Sequence, residues 1–129
     1  MVITATYAGL LAFLFVVLSA RVIGVRRSAQ IAVGDQGNVA LLRKMRAHAN
    51  FAEYVPFAIV LMGLGEGLQA PALVLHAMGA TLLVGRLLHA IGISQIEEPL
   101  WMRVTGMLLT FSVIGSGAIL CLLLGAPRL

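Results

Sequence analysis

The chain has 129 residues, of which 60% are hydrophobic and only 11% are charged, and its mean hydropathy is +1.02. This composition excludes a soluble domain of this size and indicates an integral membrane protein. The net charge of +4 comes from basic residues near span ends, without interleaved aromatic residues, so nucleic acid is not an expected partner. The single cysteine, Cys121, lies in an apolar run, which excludes an intrachain disulfide and a cysteine metal site.

The first predicted element is an apolar helix at the start of the chain. Residues 2–20 carry no charge, and the run is long enough to cross a bilayer before Arg21. A cleaved signal peptide is the rival interpretation, but no Lys or Arg precedes the run and no clear cleavage site precedes Arg21. The helix also lacks the glutamate around which the small four-span multidrug exporters are built. We therefore predict an uncleaved first span over residues 2–25.

The connection after this span is strongly basic. Six of the nine Lys and Arg residues lie between Arg21 and Arg46, against the single acid Asp35. The positive-inside rule predicts that this first connection and the third one are cytoplasmic, with both termini on the opposite side. Residues 34–38 predict a turn, and Asn38 is the expected N-cap of the next helix.

The second predicted span, residues 38–68, carries the polar face on which the functional argument depends. Four polar residues share an arc of roughly 80° on a helix that turns about 100° per residue, and they are Arg43, Arg46, Asn50 and Glu53. The helix would be about 46 Å long, which exceeds the ~30 Å hydrocarbon core. Part of this face therefore lies at or below the membrane surface, where ionisable groups are costly and indicate a functional site.

Two features mark the second half of this helix. Pro56 removes a backbone hydrogen bond and predicts a kink just past Glu53. The glycine-rich residues 63–67, followed by Pro71, predict the helix end. Glu66, which lies in this glycine-rich stretch, is accordingly expected to be a solvated loop charge without a chemical role.

The third and fourth predicted spans are residues 71–92 and residues 100–124. Arg86 and His89 are three positions apart on the third span, so they share a face that can meet the polar face of the second helix. His76, near the other end of that span, is expected to be an interfacial or helix-packing residue. On the fourth span, Arg103 lies one turn inside the start of the helix.

Three motifs carry a resemblance to a known family. The pattern Arg46-x-His48-x-Asn50-x-x-Glu53-Tyr54-x-Pro56 resembles the second-helix signature of the MAPEG family, the membrane-associated proteins of eicosanoid and glutathione metabolism. Gly85-Arg86-x-x-His89 resembles the third helix of that family, and Arg103 stands where the family has an arginine at the start of its last helix. The resemblance extends from about residue 21 to residue 109. Where the family usually has a tyrosine, this chain has Ile93, which lacks a hydroxyl donor.

The resemblance implies an all-α bundle of four transmembrane helices that assembles as a homotrimer with pockets between adjacent subunits. It implies glutathione as a co-substrate and no metal. It also implies that Arg103 is the catalytic residue, since the family's arginine is proposed to stabilise the glutathione thiolate. The predicted glutathione-binding residues are Arg26 (with Arg27 as its alternative), Arg46, His48, Asn50, Glu53, Tyr54, Arg86 and His89.

The polar inventory is compatible with that ligand. Glutathione has two carboxylates, one ammonium and a thiol, so arginines can bind the carboxylates while Glu53 binds the ammonium. A guanidinium beside the thiol lowers its pKa and favours the nucleophilic thiolate. The expected activity is that of a glutathione transferase or peroxidase acting on a lipophilic small molecule in membrane lipid.

Two other interpretations remain. The polar cluster can be structural or regulatory in a non-catalytic membrane protein, with its charged groups holding the helices together. A haem protein is the second, but His76 and His89 lie about 20 Å apart along one helix and cannot bind the same iron.

Overall fold

The computed structural model describes residues 1–128 as a bundle of four helices. They are α1 (Val2–Ala29), α2 (Val39–Gly67), α3 (Ala72–Ser94) and α4 (Leu100–Gly125), and a short 3₁₀ turn, Ala126–Arg128, follows α4. Each of the four helices is long and apolar enough to cross a membrane. The prediction of an all-helical chain with four candidate spans is confirmed.

Particular residues mark the ends of the first two helices. The side chain of Asn38 caps α2, because its Oδ1 accepts a hydrogen bond from the backbone N–H of Leu41 at 3.0 Å. At the other junction α1 extends to Ala29 and ends in a left-handed residue, Gln30. Pro56 lies inside α2, which is assigned as one helix on both sides of it.

Successive helices run in opposite directions. The end of α2 lies beside the start of α1, since Glu66 contacts the backbone of Ile3 and Thr4. The start of α2 lies beside the end of α3, since Arg43 reaches the carbonyl of Ile93. The α1–α2 and α3–α4 connections are therefore at the same end of the bundle.

Glu66 differs from its prediction. It belongs to the last turn of α2, and its carboxylate accepts hydrogen bonds from the backbone N–H groups of Ile3 at 3.0 Å and Thr4 at 2.8 Å. The first N–H groups of a helix have no partner within the helix, and a carboxylate suits them in both hydrogen bonding and helix dipole. The expected solvated loop charge is thus an interhelical cap, with only 14% of its side chain exposed.

The closest helix packing is between α3 and α4, where glycines bring the two backbones together. A Cβ atom on Gly106 would lie 2.6 Å from the carbonyl oxygen of Gly85 and 2.7 Å from the backbone nitrogen of His89. A Cβ on Gly92 would lie 3.1 Å from the nitrogen of Arg103. Small residues at such contacts allow helices in a membrane to approach closely. This packing fixes the position of His89 relative to the start of α4.

Some apolar residues form the core of the bundle, and others cover its outer surface. Buried residues of all four helices form one core, which includes Leu11, Phe51, Met62, Leu82 and Val113. Helix α1 contributes the fewest buried residues, and large apolar side chains cover its outer surface. Such a surface is normal for a helix that faces lipid.

Candidate functional site

A cavity of about 500 Å³ lies between α2, α3 and α4, at the end of the bundle where α3 connects to α4. Its volume falls in the range of about 300–1,000 Å³ that small-molecule pockets occupy. The polar side chains that line it are Arg43, Arg46, Asn50, His89, Glu98 and Arg103. The polar face of α2 predicted from its spacing therefore supplies one wall of this cavity.

Arg86 lies behind the cavity and is fully buried, with 0% of its surface exposed. Its Nη2 donates a hydrogen bond to Asn50 Oδ1 at 2.7 Å and lies 3.2 Å from His89 Nδ1. A guanidinium can only donate, so Nδ1 of His89 is the accepting nitrogen. Nη1 of Arg86 donates to Thr110 Oγ1 at 3.3 Å. Asn50 and His89 also line the cavity, so they connect the buried guanidinium to it.

The positive charge of Arg86 has no counter-ion in the described part of the protomer. Its hydrogen-bond partners are neutral groups, and its Cζ lies 5.7 Å from the centre of the Phe51 ring. Its Nε is buried and has no hydrogen-bond partner among these residues. A buried charge without compensation is costly, and inside a membrane span it indicates a functional site. The base of the cavity, where Asn50 and His89 contact Arg86, is therefore suited to an anion.

In the part of the chain that the structure describes, the acidic residue in the cavity lining is Glu98. Its Oε2 accepts a hydrogen bond from Arg43 Nη1 at 3.0 Å, and its Oε1 lies 2.9 Å from Arg103 Nη1. The second contact brings the charges together without hydrogen-bond geometry, since Oε1 has no hydrogen-bond partner among the described residues. Glu98 thus links the start of α2 to the start of α4 across the cavity.

Among the described residues, Arg46 is a cation of the cavity lining that remains available. It is exposed, and within residues 1–127 its guanidinium has no hydrogen-bond or ion-pair partner. Arg43 is partly satisfied by Glu98 and by the carbonyl of Ile93 at 3.5 Å, but its Nε is buried and lacks a hydrogen-bond partner in the same part of the chain. The cavity therefore offers unused guanidinium donors from two turns of α2.

Two predicted binding residues lie elsewhere in the protomer. Arg26 donates to the carbonyls of Ala32 at 3.3 Å and Gly34 at 2.9 Å, and so holds the α1–α2 connection. The His48 ring stacks on Phe15 with centroids 4.6 Å apart, and its Nε2 lies 3.0 Å from Ser19 Oγ. Both side chains face α1 or its connection, so a single protomer does not bring them into the cavity.

Two further predicted residues lie beside the cavity and not in its lining. Glu53 is exposed on α2, and among residues 1–127 its carboxylate has no hydrogen-bond or ion-pair partner. Tyr54 packs edge-on against Phe111 of α4, with ring centroids 5.5 Å apart. The arrangement brings together Arg46, Asn50, Arg86, His89 and Arg103 of the predicted set.

The sequence interpretation did not include Glu98, Arg43 and Met107 in the site. Arg43 was on the predicted polar face, so the 3.6-residue period was the signal for it. Glu98 follows another glutamate in a short connection, where no periodicity decides which of the two faces inward. Within the described residues, no group of three or more His, Cys, Asp and Glu side chains is arranged to hold a metal ion.

The chain is thus a four-helix membrane protein with an arginine-rich cavity at one end of its bundle, and comparison with known proteins agrees with that class. The model of the MAPEG family matches residues 4–123. The inner membrane protein YecN of Escherichia coli K12 is 40% identical over 90 residues, which cover 70% of this chain and 69% of the relative. The protein of the same name from E. coli O6:H1 strain CFT073 matches to the same extent.

The chain belongs to the MAPEG family, and it is a multi-pass integral membrane protein. The family assignment made from the motifs of α2, α3 and α4 is confirmed.

Proposed function

We propose that the cavity between α2, α3 and α4 binds glutathione and that the protein is a glutathione transferase or peroxidase of the membrane. The observation that carries the proposal is Arg86, a fully buried guanidinium with only neutral partners among the described residues. It lies behind a cavity whose wall contains Arg43, Arg46 and Arg103. A site with this excess of positive charge suits a ligand with more than one anionic group.

The carboxylates of glutathione are assigned to the arginines of the base and the α2 wall. A guanidinium presents a planar fork of donors that matches a carboxylate, and these charge-assisted hydrogen bonds are about twice as strong as neutral ones. Arg46 is therefore proposed to bind a carboxylate directly, and Arg86 is proposed to bind it through Asn50, which lies between Arg86 and the cavity. Asn50 is held on Arg86 through its Oδ1, which leaves its amide NH₂ free to donate to the same ligand.

The ammonium of glutathione is assigned to Glu53, which also bears on the assembly. An exposed carboxylate without a partner on a membrane helix is costly unless it meets another group. Because Glu53 lies outside the cavity of its own protomer, the proposal is a homotrimer in which the pocket is completed between adjacent subunits. Only such a shared pocket would allow the other predicted residues outside the cavity to bind glutathione, namely Arg26, His48 and Tyr54.

The thiol of glutathione is assigned to Arg103, at the head of α4 and on the cavity wall. A nearby guanidinium favours the thiolate, and the thiol proton leaves to solvent. The thiolate sulfur then attacks an apolar electrophile that enters from the lipid, so that an S–C bond forms while the leaving group departs with its electron pair. With a lipid hydroperoxide, an S–O bond forms as the O–O bond breaks and the lipid alcohol leaves. A second glutathione then reduces the resulting sulfenic acid, which gives glutathione disulfide and water. The second substrate is thus proposed to be a lipophilic small molecule, and no metal takes part.

A second candidate function is a non-catalytic one. The ion pair between Glu98 and Arg103 favours it, because an arginine neutralised by the protein itself polarises a thiol less. Ile93 also stands where the family usually has a tyrosine, and it supplies no hydroxyl donor. In this alternative the polar cluster is structural or regulatory.

The sidedness of the protein is also a proposal. The six basic residues between Arg21 and Arg46 support a cytoplasmic α1–α2 connection by the positive-inside rule. The α3–α4 connection is at the same end of the bundle, so the cavity would open toward the cytoplasm, where glutathione is available. Both termini would then lie on the opposite side.

The decisive experiment measures binding and turnover separately. Glutathione is titrated into the purified protein in detergent by calorimetry, and conjugation is assayed with a generic electrophile. Arg46→Leu should raise KM and weaken binding, because an arginine that binds a glutathione carboxylate stabilises the ground state and the transition state equally. Arg103→Leu should remove most turnover and raise the pKa of the bound thiol. That pKa is measured by titrating the thiolate absorbance at ~240 nm.

Arg21→Leu is the matched control, since Arg21 is exposed on α1 and lies outside the cavity. It should leave both binding and turnover unchanged. Absence of glutathione binding in the wild type would overturn the proposed function. Binding without turnover, with equal thiol pKa in the wild type and Arg103→Leu, would favour the non-catalytic alternative.

A further inference from the structure

We propose that Glu98 is a specificity-determining residue that holds Arg103 in the unliganded protein and competes for it with the thiolate of the ligand. The inference rests on the proposed function, since it concerns the same cavity and the same ligand class. It adds a residue that neither the family resemblance nor the polar face of α2 indicated. In consequence, Arg103 becomes available only to an anion strong enough to replace the Glu98 carboxylate.

The Glu98 carboxylate bridges two guanidinium groups. Each oxygen of Glu98 contacts a different guanidinium, Oε2 that of Arg43 at 3.0 Å and Oε1 that of Arg103 at 2.9 Å. All three side chains line the cavity. The carboxylate therefore occupies an anion position inside the site, and a ligand anion meets it there.

Glu98 holds the two arginines unequally. The contact with Arg43 is a hydrogen bond, whereas the contact with Arg103 lacks hydrogen-bond geometry. The side chain of Arg103 is also more exposed, at 42% against 26% for Arg43. Solvent screening and poor geometry both weaken an ion pair. Arg103 is thus the partner that Glu98 gives up first, while Arg43 keeps the carboxylate in place.

The Glu98 carboxylate is directed away from the first backbone N–H groups of the helix that it precedes. An acidic side chain before a helix commonly caps the free N–H groups of the first turn. Helix α4 begins after Pro99 and receives no side-chain capping hydrogen bond from the described residues. Glu98 instead directs its carboxylate to the two arginines, although its neighbour Glu97 is exposed. The two adjacent glutamates therefore differ in environment while carrying the same charge.

The consequence for specificity follows from the charge that Arg103 meets. In the unliganded protein Arg103 is balanced by Glu98, so a neutral thiol gains little from it. A thiolate offers a full negative charge and displaces the loosely held oxygen. The site is then selective for a ligand with an ionisable thiol over the same ligand with a blocked sulfur.

The test uses the two glutamates as a matched pair. Glutathione is titrated by calorimetry into full-length wild type, Glu98→Gln and Glu97→Gln in detergent. Glu98→Gln should bind about tenfold more tightly, because a neutral amide no longer competes for Arg103 with a charge-assisted contact. Glu97→Gln removes the same charge one residue earlier and should bind like the wild type.

A second ligand assigns the effect to the sulfur. S-methylglutathione has the same carboxylates and ammonium but no thiolate, so Glu98→Gln should bind it no more tightly than the wild type does. An equal gain for both ligands would overturn the proposal, because Glu98 would then compete with a carboxylate. An equal gain in Glu97→Gln and Glu98→Gln would also overturn it, since the effect would be one of general charge.

A third variant covers a folding defect in Glu98→Gln. Glu98→Asp keeps the charge but is one methylene shorter, so it can stay on Arg43 and not reach Arg103. Glu98→Asp should also bind glutathione more tightly than the wild type, but by a smaller factor than Glu98→Gln. Wild-type affinity in a folded Glu98→Asp protein would overturn the proposal. Failure of glutathione to bind any variant overturns the proposed function as well, whereas equal binding by all variants overturns only the role of Glu98.

Discussion

The two ends of the bundle each contain a polar cluster, and the clusters differ in how their charges are satisfied. At the α2–α3 end, the Glu66 carboxylate is surrounded by donors of the protein itself, the backbone N–H groups of Ile3 and Thr4. At the α3–α4 end, Arg86 is buried among neutral partners, and Arg46 has none within residues 1–127. One cluster is closed and the other has unused donors.

The difference separates structural from functional polarity in a membrane helix. A closed cluster fixes one helix against another and gains nothing from a ligand. An open cluster carries an energetic cost that a ligand can relieve, and so the same residue types serve binding. Substitutions at the two ends should therefore affect different measurements.

The largest expected effect is that of Arg86→Met on binding. The variant removes the buried cation but fills much of its volume, so glutathione affinity should fall about 100-fold, or about 2.7 kcal/mol. Thermal stability of the unliganded protein should stay equal or rise, because replacing a buried uncompensated charge by an apolar side chain is often neutral or stabilising. Calorimetry and thermal unfolding in detergent measure the two quantities.

Arg86→Lys is the control for this variant. It keeps the charge without the planar fork, so it should retain part of the affinity. If Arg86→Met instead unfolds the protein and affinity survives in Arg86→Lys at the wild-type level, then Arg86 is an internal structural group.

The second expected effect is that of Glu66→Ala on stability. It leaves the first N–H groups of α1 without their acceptor, which should lower the thermal midpoint by several degrees. Glu66→Gln keeps one acceptor oxygen and should lose less. Glutathione affinity should not change in either variant, because Glu66 is at the other end of the bundle. A loss of affinity in Glu66→Ala would contradict the separation of the two clusters.

The smallest expected effect is that of Tyr7→Phe. The Tyr7 hydroxyl lies 3.3 Å from His76 Nδ1, an exposed contact between α1 and α3. Removal of the hydroxyl should cost less than about 1 kcal/mol, since exposed hydrogen bonds contribute little. The ring remains packed over Gly79, so helix assembly should be unaffected. A large destabilisation would show that this contact holds the closed end together.

Much of the architecture was accessible from the sequence because length and hydropathy dominate in a membrane. The spans follow from apolar runs, and the α2 wall of the cavity follows from the spacing of Arg43, Arg46 and Asn50. Arg86 and His89 were also predicted to meet the polar face of α2, because the two residues share a face. Arg86 does so through Asn50, while His89 contacts Arg86 and lines the same cavity. The structure confirms this contact between the faces of α2 and α3.

The sequence did not predict the surroundings of several polar residues. Glu66 was expected to be solvated, since glycines on both sides predict a loop, and only the antiparallel packing of α1 brings N–H groups to it. Glu98 has the same origin, because its partners come from α2 and α4. Arg26 and His48 fit the motif or the charge pattern, yet the rotation of each helix directs them to α1 or its connection. Such placements depend on tertiary contacts that no local pattern records.

The glycine contacts between α3 and α4 affect the range of ligands that can fit this cavity. Gly92 and Gly106 let the head of α4 approach His89 with no side chain between the backbones. One added methyl group at either position would separate the helices and change the distance between Arg103 and the base of the cavity. The dimensions of the site therefore depend on two residues that lack a side chain. Substitutions of these glycines, which carry no charge, would change which molecules fit the site.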